Sequence, residues 1–266
     1  GLTKNQRIEA WCEFSRTNAN THIYCWRGGM RSNYAREWIL EYGIDIPLIG
    51  GGFKALRHVI LDQITDAANQ VPIVRIGGKT GTAKTVLVNA VEFSTDLEGH
   101  ANHRGSSFGQ RVSGVPTQVN FENSLGIDLL RKRQAFSRRT LVVEDEGRRI
   151  GSNSIPKDFY DKMRTGDVAV VEMPMEFRIQ RIAHEYVIEM TKEFLAAHPV
   201  DGWKMFVDYL TQSLVRVRKR LGSENYNLIA SLMGNALRQQ YEQGDTSGHD
   251  AWIVAMLRDY YDPMYA

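Results

Sequence analysis

The chain has 266 residues, of which 33 are Lys or Arg and 31 are Asp or Glu, so its formal net charge is +2. With 42% hydrophobic and 24% charged residues, it has the composition of a globular protein and not of a disordered one. Its apolar runs are too short for a bilayer crossing, which takes about 20 residues, and its two cysteines cannot build a disulfide framework. We therefore expect a cytoplasmic protein with no membrane partner, and the first residue, Gly1, indicates a processed or N-terminally truncated product.

The first 69 residues carry helix and strand signals in alternation. Ser32 is the expected N-cap of the second helix, and Gly43 is its expected C-terminal stop. A glycine triplet at 50–52 precedes the last helix of this part. The predicted elements are a helix over residues 4–14, a short strand over 21–24, and helices over 32–42 and 53–67.

A glycine-containing loop joins the short strand to the second helix and carries a cysteine. It reads Cys25-Trp26-Arg27-Gly28-Gly29-Met30-Arg31-Ser32. The two glycines allow successive backbone N–H groups to point inward and form a nest for negative charge. A thiol beside that nest, beside Arg27 and Arg31 and at a helix N-terminus is expected to have a lowered pKa. The pattern predicts a thiolate at Cys25 that carries a terminal sulfur or selenium atom; the alternative is a buried structural cysteine before a surface turn.

From about residue 70 the pattern restarts as strands separated by helices, which is typical of a parallel sheet with helices on both faces. No strand signal remains beyond about residue 175, so the last third is predicted to be helical. The only domain boundary that the composition supports is near residue 70. The predicted buried strands are 72–76, 90–94, 140–144 and 167–172, and the predicted later helices are 178–197, 202–220 and 225–243.

The segment after the first of these strands nearly matches the P-loop pattern G-x4-G-K-[ST]. Backbone N–H groups of such a loop and the following helix wrap a phosphate, and Lys84 adds a positive charge. Ala83 replaces the usual glycine, and its methyl group crowds the phosphate if the position needs a positive φ. The alternative is an ordinary glycine-rich turn between strand and helix. The predicted phosphate-binding residues are Gly78, Lys79, Thr80, Gly81, Thr82, Ala83, Lys84 and Thr85.

Two acidic strand ends compete for the role of a metal-binding carboxylate. Asp96 follows one predicted strand, and Glu144 with Asp145 ends another. If Mg²⁺ is used, Thr85 and either Asp96 or Glu144 are the expected ligands; a solvated carboxylate is the alternative reading of each.

A polar loop follows Asp96, and its density of hydrogen-bonding side chains exceeds that of a plain connector. We expect it to close over a phosphorylated or nucleotide substrate, with Arg104 binding an anion. Its candidate substrate residues are Asp96, Glu98, His103, Arg104, Gly105 and Ser106.

These motifs resemble two known protein families. Residues 25–32 look like the active-site loop of a rhodanese domain, and residues 49–53 are similar to the Gly-Gly turn of that fold. Only 24 residues precede Cys25, so the front half of such a domain is absent. The order of the cysteine loop, the P-loop, the polar loop and a second polar signature over 143–151 resembles that of the tRNA 2-selenouridine synthases over essentially the whole chain. The candidate site residues of the second signature are Glu144, Asp145, Arg148 and Arg149.

The resemblance implies an α/β fold with a partial rhodanese-like domain (1–69), a P-loop parallel-sheet domain (70–175) and a helical C-terminal region (176–266) with possible tRNA contacts. It implies a transferase that exchanges sulfur for selenium at the wobble 2-thiouridine of tRNA, through a geranylated intermediate and with selenophosphate and geranyl diphosphate as donors. The P-loop then holds the leaving diphosphate, and Cys25 relays selenium in a loop shaped by Gly28, Gly29 and Arg31.

Clustered basic residues are the expected contacts to the anticodon region, because phosphate binding needs positive charge. The densest groups are Arg131, Lys132, Arg133, Arg138 and Arg139, and Arg216, Arg218, Lys219 and Arg220. The alternative interpretation of each group is a solvent-exposed helix face with no RNA contact. Two other functions stay open at this point: an ATP-dependent kinase or NTPase with a scaffold rhodanese remnant, and a tRNA-binding module without catalysis. The sequence does not indicate an oligomeric state.

Overall fold

The computed structural model describes residues 3–265. The chain forms two compact units, Gly1–Gln63 and Ile64–Ala266. Helix α3 (Gly52–Gln70) contributes residues to both of them. We describe each unit by itself.

The first unit is built from helices packed around a small apolar core. Helix α1 (Lys4–Thr17) begins with a capping box, in which Thr3 and Gln6 each accept a hydrogen bond from the other's backbone N–H group. Helix α2 (Met30–Leu40) follows the cysteine loop, and α3 begins after the glycine triplet. The buried core residues are Ile8, Cys12, Ile39 and Ile46.

Two predictions for this unit are wrong in detail. The predicted strand over residues 21–24 is reduced to a single parallel bridge between Ile23 and Leu48. Helix α2 begins two residues earlier than predicted, with Gly29 as its N-cap, so Ser32 lies inside the first turn. The side chain of Ser32 is therefore available for another contact, described below.

The second unit contains a four-stranded parallel sheet, in which the strands over residues 94–95, 141–144, 73–77 and 167–170 lie side by side in that order. In the register of the two central strands, Ile73 lies opposite Leu141 and Ile76 opposite Glu144. The carboxyl ends of parallel strands meet at one edge of a sheet, where α/β proteins bind their ligands. The strands are β1 (Ile73–Gly77), β2 (Ser94–Thr95), β3 (Leu141–Glu144) and β6 (Asp167–Val170), and a separate hairpin joins β4 (Arg149–Ile150) to β5 (Asn153–Ser154).

The sheet departs from the predicted strands at two places. Residue 90 ends a helix, α4 (Lys84–Ala90), and the strand predicted over 90–94 is only Ser94–Thr95. Strand β6 is not buried as predicted, since all four of its residues are exposed and the side chain of Val170 is 65% exposed. The reason is its position at the sheet edge, where it pairs with β1 alone.

The helices beyond residue 175 enclose another, larger apolar core, to which Phe108 also belongs. It includes Phe206, Leu210, Ile229, Met233 and Trp252. Within residues 3–265, no helix combines the length and the apolar character that a bilayer crossing requires. The remaining helices of this unit are α5 (Leu97–Ala101), α6 (Gln118–Lys132), α7 (Lys157–Thr165), α8 (Met175–Ala183), α9 (Glu189–Ala197), α10 (Gly202–Gln243) and α11 (His249–Met256), and π-helical turns cover His184–Ile188 and Leu257–Tyr261.

Candidate active site

The thiol of Cys25 lies in a nest of hydrogen-bond donors at the start of α2. Its Sγ atom accepts hydrogen bonds from the N–H group of Gly29, at 3.2 Å, and from the hydroxyl of Ser32, at 3.3 Å. The Ser32 hydroxyl is the main reason why the pKa of Cys25 falls from 9.0 to about 6, and backbone N–H groups lower it further. Because donors stabilise the thiolate, Cys25 is ionised at neutral pH.

From the sequence, the lowered pKa of Cys25 is attributed to a backbone nest, two arginines and a helix N-terminus; the structure retains the backbone donors and adds the Ser32 hydroxyl as the largest cause. Arg27 and Arg31 are exposed, and Ser32, predicted as a helix cap, supplies the strongest hydrogen bond. The sequence feature that could have indicated this contact is the position of Ser32, seven residues after Cys25 and in the first turn of the helix that follows the loop. A hydroxyl on the first turn of a helix can reach back to the residue that precedes the nest.

Two glycine turns pack backbone to backbone and hold the cysteine loop in shape. Gly28 has φ +66°, and a Cβ atom there would lie 2.7 Å from the nitrogen of Gly51. A Cβ atom on Gly52 would overlap the carbonyl oxygen of Cys25. That carbonyl accepts a hydrogen bond from the N–H group of Phe53 at 2.9 Å, and the ring of Phe53 stacks on Trp26. The glycines are therefore required by close approach as well as by φ.

The predicted P-loop connects β1 to α4. Gly78 (φ +143°) and Gly81 (φ +84°) adopt backbone angles that favour glycine. Ala83 has φ +61° and ψ +33°, the left-handed conformation that the sequence identified as the condition for crowding. The ammonium group of Lys84 spans the loop and donates to the carbonyl oxygens of Gly78, at 2.8 Å, and Lys79, at 3.3 Å.

Carboxyl groups crowd beside the P-loop helix. The hydroxyl of Thr85 donates to Glu98 Oε2 at 3.1 Å. Burial and the nearby carboxylate of Glu146 raise the pKa of Glu98 to about 9, and burial raises the pKa of Glu146 as well. A Cβ atom on Gly105 would meet both carboxyl groups, which places them side by side. Two carboxyl groups this close do not both ionise at neutral pH, so the pair retains a proton.

The two carboxylates that compete for a metal are both engaged within the protein. Asp96 caps α5 by accepting a hydrogen bond from the N–H group of Gly99 at 2.6 Å. Glu144 is fully buried and accepts one from the N–H group of Leu97 at 3.0 Å, and burial raises its pKa to about 8. Among residues 3–265, no three His, Cys, Asp or Glu side chains are arranged to hold a metal ion. Glu144 thus does not fit the metal-ligand role, whereas Thr85 and Asp96 both face the cleft described next.

A cleft of about 760 Å³ brings three of the sequence motifs together. Residues 80–85 of the P-loop form one part of its lining, Asp96, Glu98 and residues 104–106 of the polar loop form another, and Asp145 with Glu146 and Gly147 form a third. These segments are 11 or more residues apart in the chain and meet because their strands end at the same edge of the sheet.

Several predicted residues do not line this cleft. Glu144 lies behind it in the core, and Arg148 and Arg149 are exposed elsewhere. Asp145 does line the cleft, but its carboxylate is engaged in ion pairs with Arg75, at 2.5 Å, and Arg164. His103 pairs with Gln110 in an isolated bridge, and burial lowers its pKa, which indicates a structural role.

The structure adds cleft residues that no motif indicated. Tyr186 and Tyr261 lie on the two π-helical turns, and both line the cleft. Arg181, Glu185 and Tyr265 also line it. The guanidinium group of Arg104 stacks over the ring of Tyr186, 5.2 Å from its centre, and the Tyr186 hydroxyl lies 3.1 Å from Ser106 Oγ. Tyr186 keeps its proton at neutral pH, because burial raises its pKa. A single π-helical turn leaves no signal in the residue pattern, although such turns are frequent at functional sites.

A small apolar crevice adjoins the cleft. Thr80, Tyr186 and Tyr261 line both spaces. The remaining walls of the crevice are Phe108, Ile182, Trp252, Ile253, Met256 and Leu257.

The two groups of basic residues differ in how many of their side chains are bound to other parts of the protein. In the first, Lys132 pairs with Asp128, Arg133 with Asp66 and Arg139 with Glu92. In the second, Arg216 donates to the carbonyl oxygen of Ser107 at 2.9 Å and Arg218 lies over Tyr226, while Lys219 and Arg220 are exposed.

Comparison with known proteins gives one consistent family. Residues 71–266 match the model of the tRNA 2-selenouridine synthase AAA domain. The whole chain is similar to proteins named tRNA 2-selenouridine synthase: it is 44% identical to one from Pseudomonas fluorescens (strain Pf-5), covering 73% of that protein, and 45% identical to one from Azotobacter vinelandii, covering 72%. No solved structure matches the chain. The family expected from the order of the motifs is confirmed, and the chain belongs to the tRNA 2-selenouridine synthase family.

Proposed function

We propose that the protein replaces sulfur by selenium at the wobble 2-thiouridine of tRNA through a geranylated intermediate, with geranyl diphosphate and selenophosphate as donors. Its family makes it a tRNA-modifying transferase. The choice of donors and of the anticodon region comes from the resemblance described above, and the site supports it as follows.

The observation that carries the proposal is the convergence of three separate motifs on one cleft beside the P-loop. A diphosphate gains negative charge as it leaves the carbon to which it was bonded. Backbone N–H groups and a lysine that are already in place stabilise that charge without reorganisation. Lys84 lies across the loop, 2.8 Å from the carbonyl oxygen of Gly78, and supplies this positive charge.

The apolar crevice holds only about 20 Å³ and cannot enclose a prenyl tail, but its apolar side chains form a wall beside the cleft that favours a prenyl donor over a nucleotide donor. It adjoins the P-loop at Thr80, and its walls are aliphatic and aromatic side chains such as Ile182, Met256 and Leu257. A hydrocarbon tail gains free energy in such surroundings, at about 25 cal/mol per Å² of apolar surface removed from water. We assign the diphosphate to the P-loop and the tail to this side of the cleft.

Cys25 suits the selenium-relay part of the proposal. Its thiolate is formed at neutral pH, and the surrounding hydrogen-bond donors stabilise negative charge at this position. In the exchange itself, selenophosphate supplies selenide-level selenium, the C2–Se bond forms as the bond from C2 to the geranylated sulfur breaks, the geranyl thiol leaves, and the P–Se bond is hydrolysed to phosphate. Thr85 and Asp96 would hold a divalent cation if one is used, and the cation would neutralise diphosphate charge. We assign the RNA contacts to exposed basic residues, with Lys219 and Arg220 as the first candidates.

The proposal is tested by the mass of a 2-thiouridine-containing anticodon stem-loop after incubation with geranyl diphosphate, with and without selenophosphate. We expect a geranylated product without selenophosphate and a 2-selenouridine product with it. Cys25→Ala is expected to abolish selenation and spare geranylation, whereas Lys84→Ala is expected to impair geranylation.

Three results would contradict the proposal. Selenouridine formation by Cys25→Ala would remove the assigned role of the cysteine loop. Turnover of ATP with no reaction of geranyl diphosphate would indicate the kinase or NTPase function instead. Tight RNA binding with neither product would indicate a binding module.

A further inference from the structure

The backbone of the P-loop is held from outside its own motif by a buried arginine on α8. Arg178 is only 3% exposed. Its Nε atom donates to the carbonyl oxygen of Thr80 at 2.8 Å, in the middle of the loop. Its two terminal nitrogens donate to the two carboxylate oxygens of Asp262 at 3.0 and 2.5 Å. One planar guanidinium group thus links the loop to a residue that follows the second π-helical turn.

Other contacts join the same three segments. Lys79 Nζ lies 3.5 Å from Asp262, and the hydroxyl of Thr80 lies 3.4 Å from that of Tyr265. A Cβ atom on Gly81 would lie 3.0 Å from the carbonyl oxygen of Arg178, so the loop backbone rests directly on α8. The neighbouring arginine also holds the pKa of Asp262 below its usual range, so this carboxylate is charged at neutral pH.

The contact with Thr80 has a geometric consequence for the next peptide N–H group. In a trans peptide the C=O and N–H bonds point in opposite directions. Since Arg178 binds the Thr80 carbonyl, the N–H group of Gly81 points away from the guanidinium group of Arg178. Gly81 lines the cleft and Arg178 does not.

We propose that Arg178, oriented by Asp262, is a positioning residue that holds the P-loop in the conformation that binds a phosphate-class anion. The inference deepens the proposed function and rests on its assignment of the diphosphate to this loop. Arg178 touches no ligand in this role, because its fork is occupied by Thr80 and Asp262.

The test is the affinity for inorganic pyrophosphate, measured by calorimetry on the unmodified chain and its variants. Arg178→Lys keeps the charge but loses the fork, since an ammonium group cannot bind both partners in this geometry. We expect Arg178→Lys and Asp262→Asn to bind pyrophosphate at least tenfold more weakly, and Asp262→Glu to recover part of the affinity. The matched control is Asp259→Asn, which breaks an ion pair with Arg258 at the surface three residues away.

A second readout separates positioning from damage to the fold. The thermal melting of each variant, measured before and after addition of pyrophosphate, shows whether the unit that holds the P-loop is folded. If Asp262→Asn does not fold, Arg178→Lys carries the test. Equal pyrophosphate affinity in the folded variants and the unmodified chain would overturn the role of Arg178 alone. Absence of pyrophosphate binding by the unmodified chain would overturn the proposed diphosphate site together with it.

Discussion

The acidity of Cys25 comes from hydrogen-bond donors on a single short segment. The Ser32 hydroxyl is the largest contribution, and backbone N–H groups of the loop add to it. A donor to sulfur stabilises the thiolate and does nothing comparable for the protonated thiol, so each donor lowers the pKa.

Ser32→Ala is therefore expected to raise the pH at which Cys25 reacts. In the unmodified chain, alkylation of Cys25 by iodoacetamide should be half-maximal at pH about 6, and in the variant this midpoint should rise towards the ordinary value of 9.0. The measurement is the rate of alkylation against pH, read by peptide mass. Ser15→Ala, which removes a hydroxyl bonded to the carbonyl of Trp11, is the control and should leave the midpoint unchanged. An unchanged midpoint in Ser32→Ala would contradict the assigned cause.

Ala83 holds a backbone conformation that its side chain disfavours. The left-handed region costs a non-glycine residue about 1–2 kcal/mol, and Ala83 lies in it at φ +61°. The cost persists because α4 begins at the next residue and the loop has to turn there.

Ala83→Gly is expected to raise the free energy of unfolding by about 1 kcal/mol, because removal of the strain exceeds the extra entropy of the unfolded glycine. The same change at an ordinary helical position should act in the opposite direction. Ala251→Gly, at an exposed position on α11, is expected to lower the free energy of unfolding by about 1 kcal/mol. Urea denaturation measures both, and destabilisation by Ala83→Gly would show that the turn is not strained.

At the scale of elements, α10 is interrupted within its 42 residues. Gly222 has φ +77° and ψ +164°, a combination open essentially to glycine alone. The basic group that ends at Arg220 lies immediately before the break, and the second half of the helix carries Ile229 and Met233 into the core. The break therefore redirects the chain between a basic surface and the apolar core.

Two glycines of this helix provide a matched pair of substitutions. Gly222→Ala is expected to destabilise the protein by about 1–3 kcal/mol because alanine cannot adopt this backbone conformation without strain. Gly234→Ala should stabilise it by about 1 kcal/mol, since its position is helical and a Cβ atom there meets nothing within 4 Å. Thermal or urea unfolding distinguishes the signs, and stabilisation by both changes would show that α10 tolerates a continuous helix.

At the scale of the whole molecule, the formal net charge of +2 does not show which basic side chains are paired within the protein and which are exposed to solvent. Most of the 131–139 group is paired with carboxylates, and Arg216 is bonded to a backbone carbonyl. Lys219 and Arg220 remain exposed at the end of the first half of α10. Exposed cations without such partners release counterions from RNA most effectively, because nothing in the protein has to be displaced.

The double variant Lys219→Gln with Arg220→Gln is expected to weaken binding of the anticodon stem-loop and to reduce the slope of log affinity against log salt by about 2, or about 1 for each phosphate contact. Fluorescence anisotropy over a range of salt concentrations measures this slope. Lys157→Gln with Arg258→Gln removes two other exposed cations and is the control. An equal loss of slope in both double variants would mean that only net charge matters.

The amino-acid sequence by itself determined the family, the two glycine loops and the helix that follows each loop. These features depend on local chemistry: φ angles that favour glycine at Gly28, Gly78 and Gly81, and N–H groups left free at a helix start. It also located the cysteine, the lysine and most of the polar residues of the candidate site.

Tertiary structure alone decided which of these residues share a cleft. Glu98 and Glu146 lie side by side next to Gly105, whereas Glu144 is buried behind them. Glu144 and Glu146 are only two residues apart, so the sequence does not show that one lines the cleft and the other does not. The anchor at Arg178 is 98 residues from Thr80, and β6 is exposed because it forms the sheet edge. Such relations arise from packing between distant segments, and a buried charge or an edge strand is defined only by what lies beside it in the folded chain.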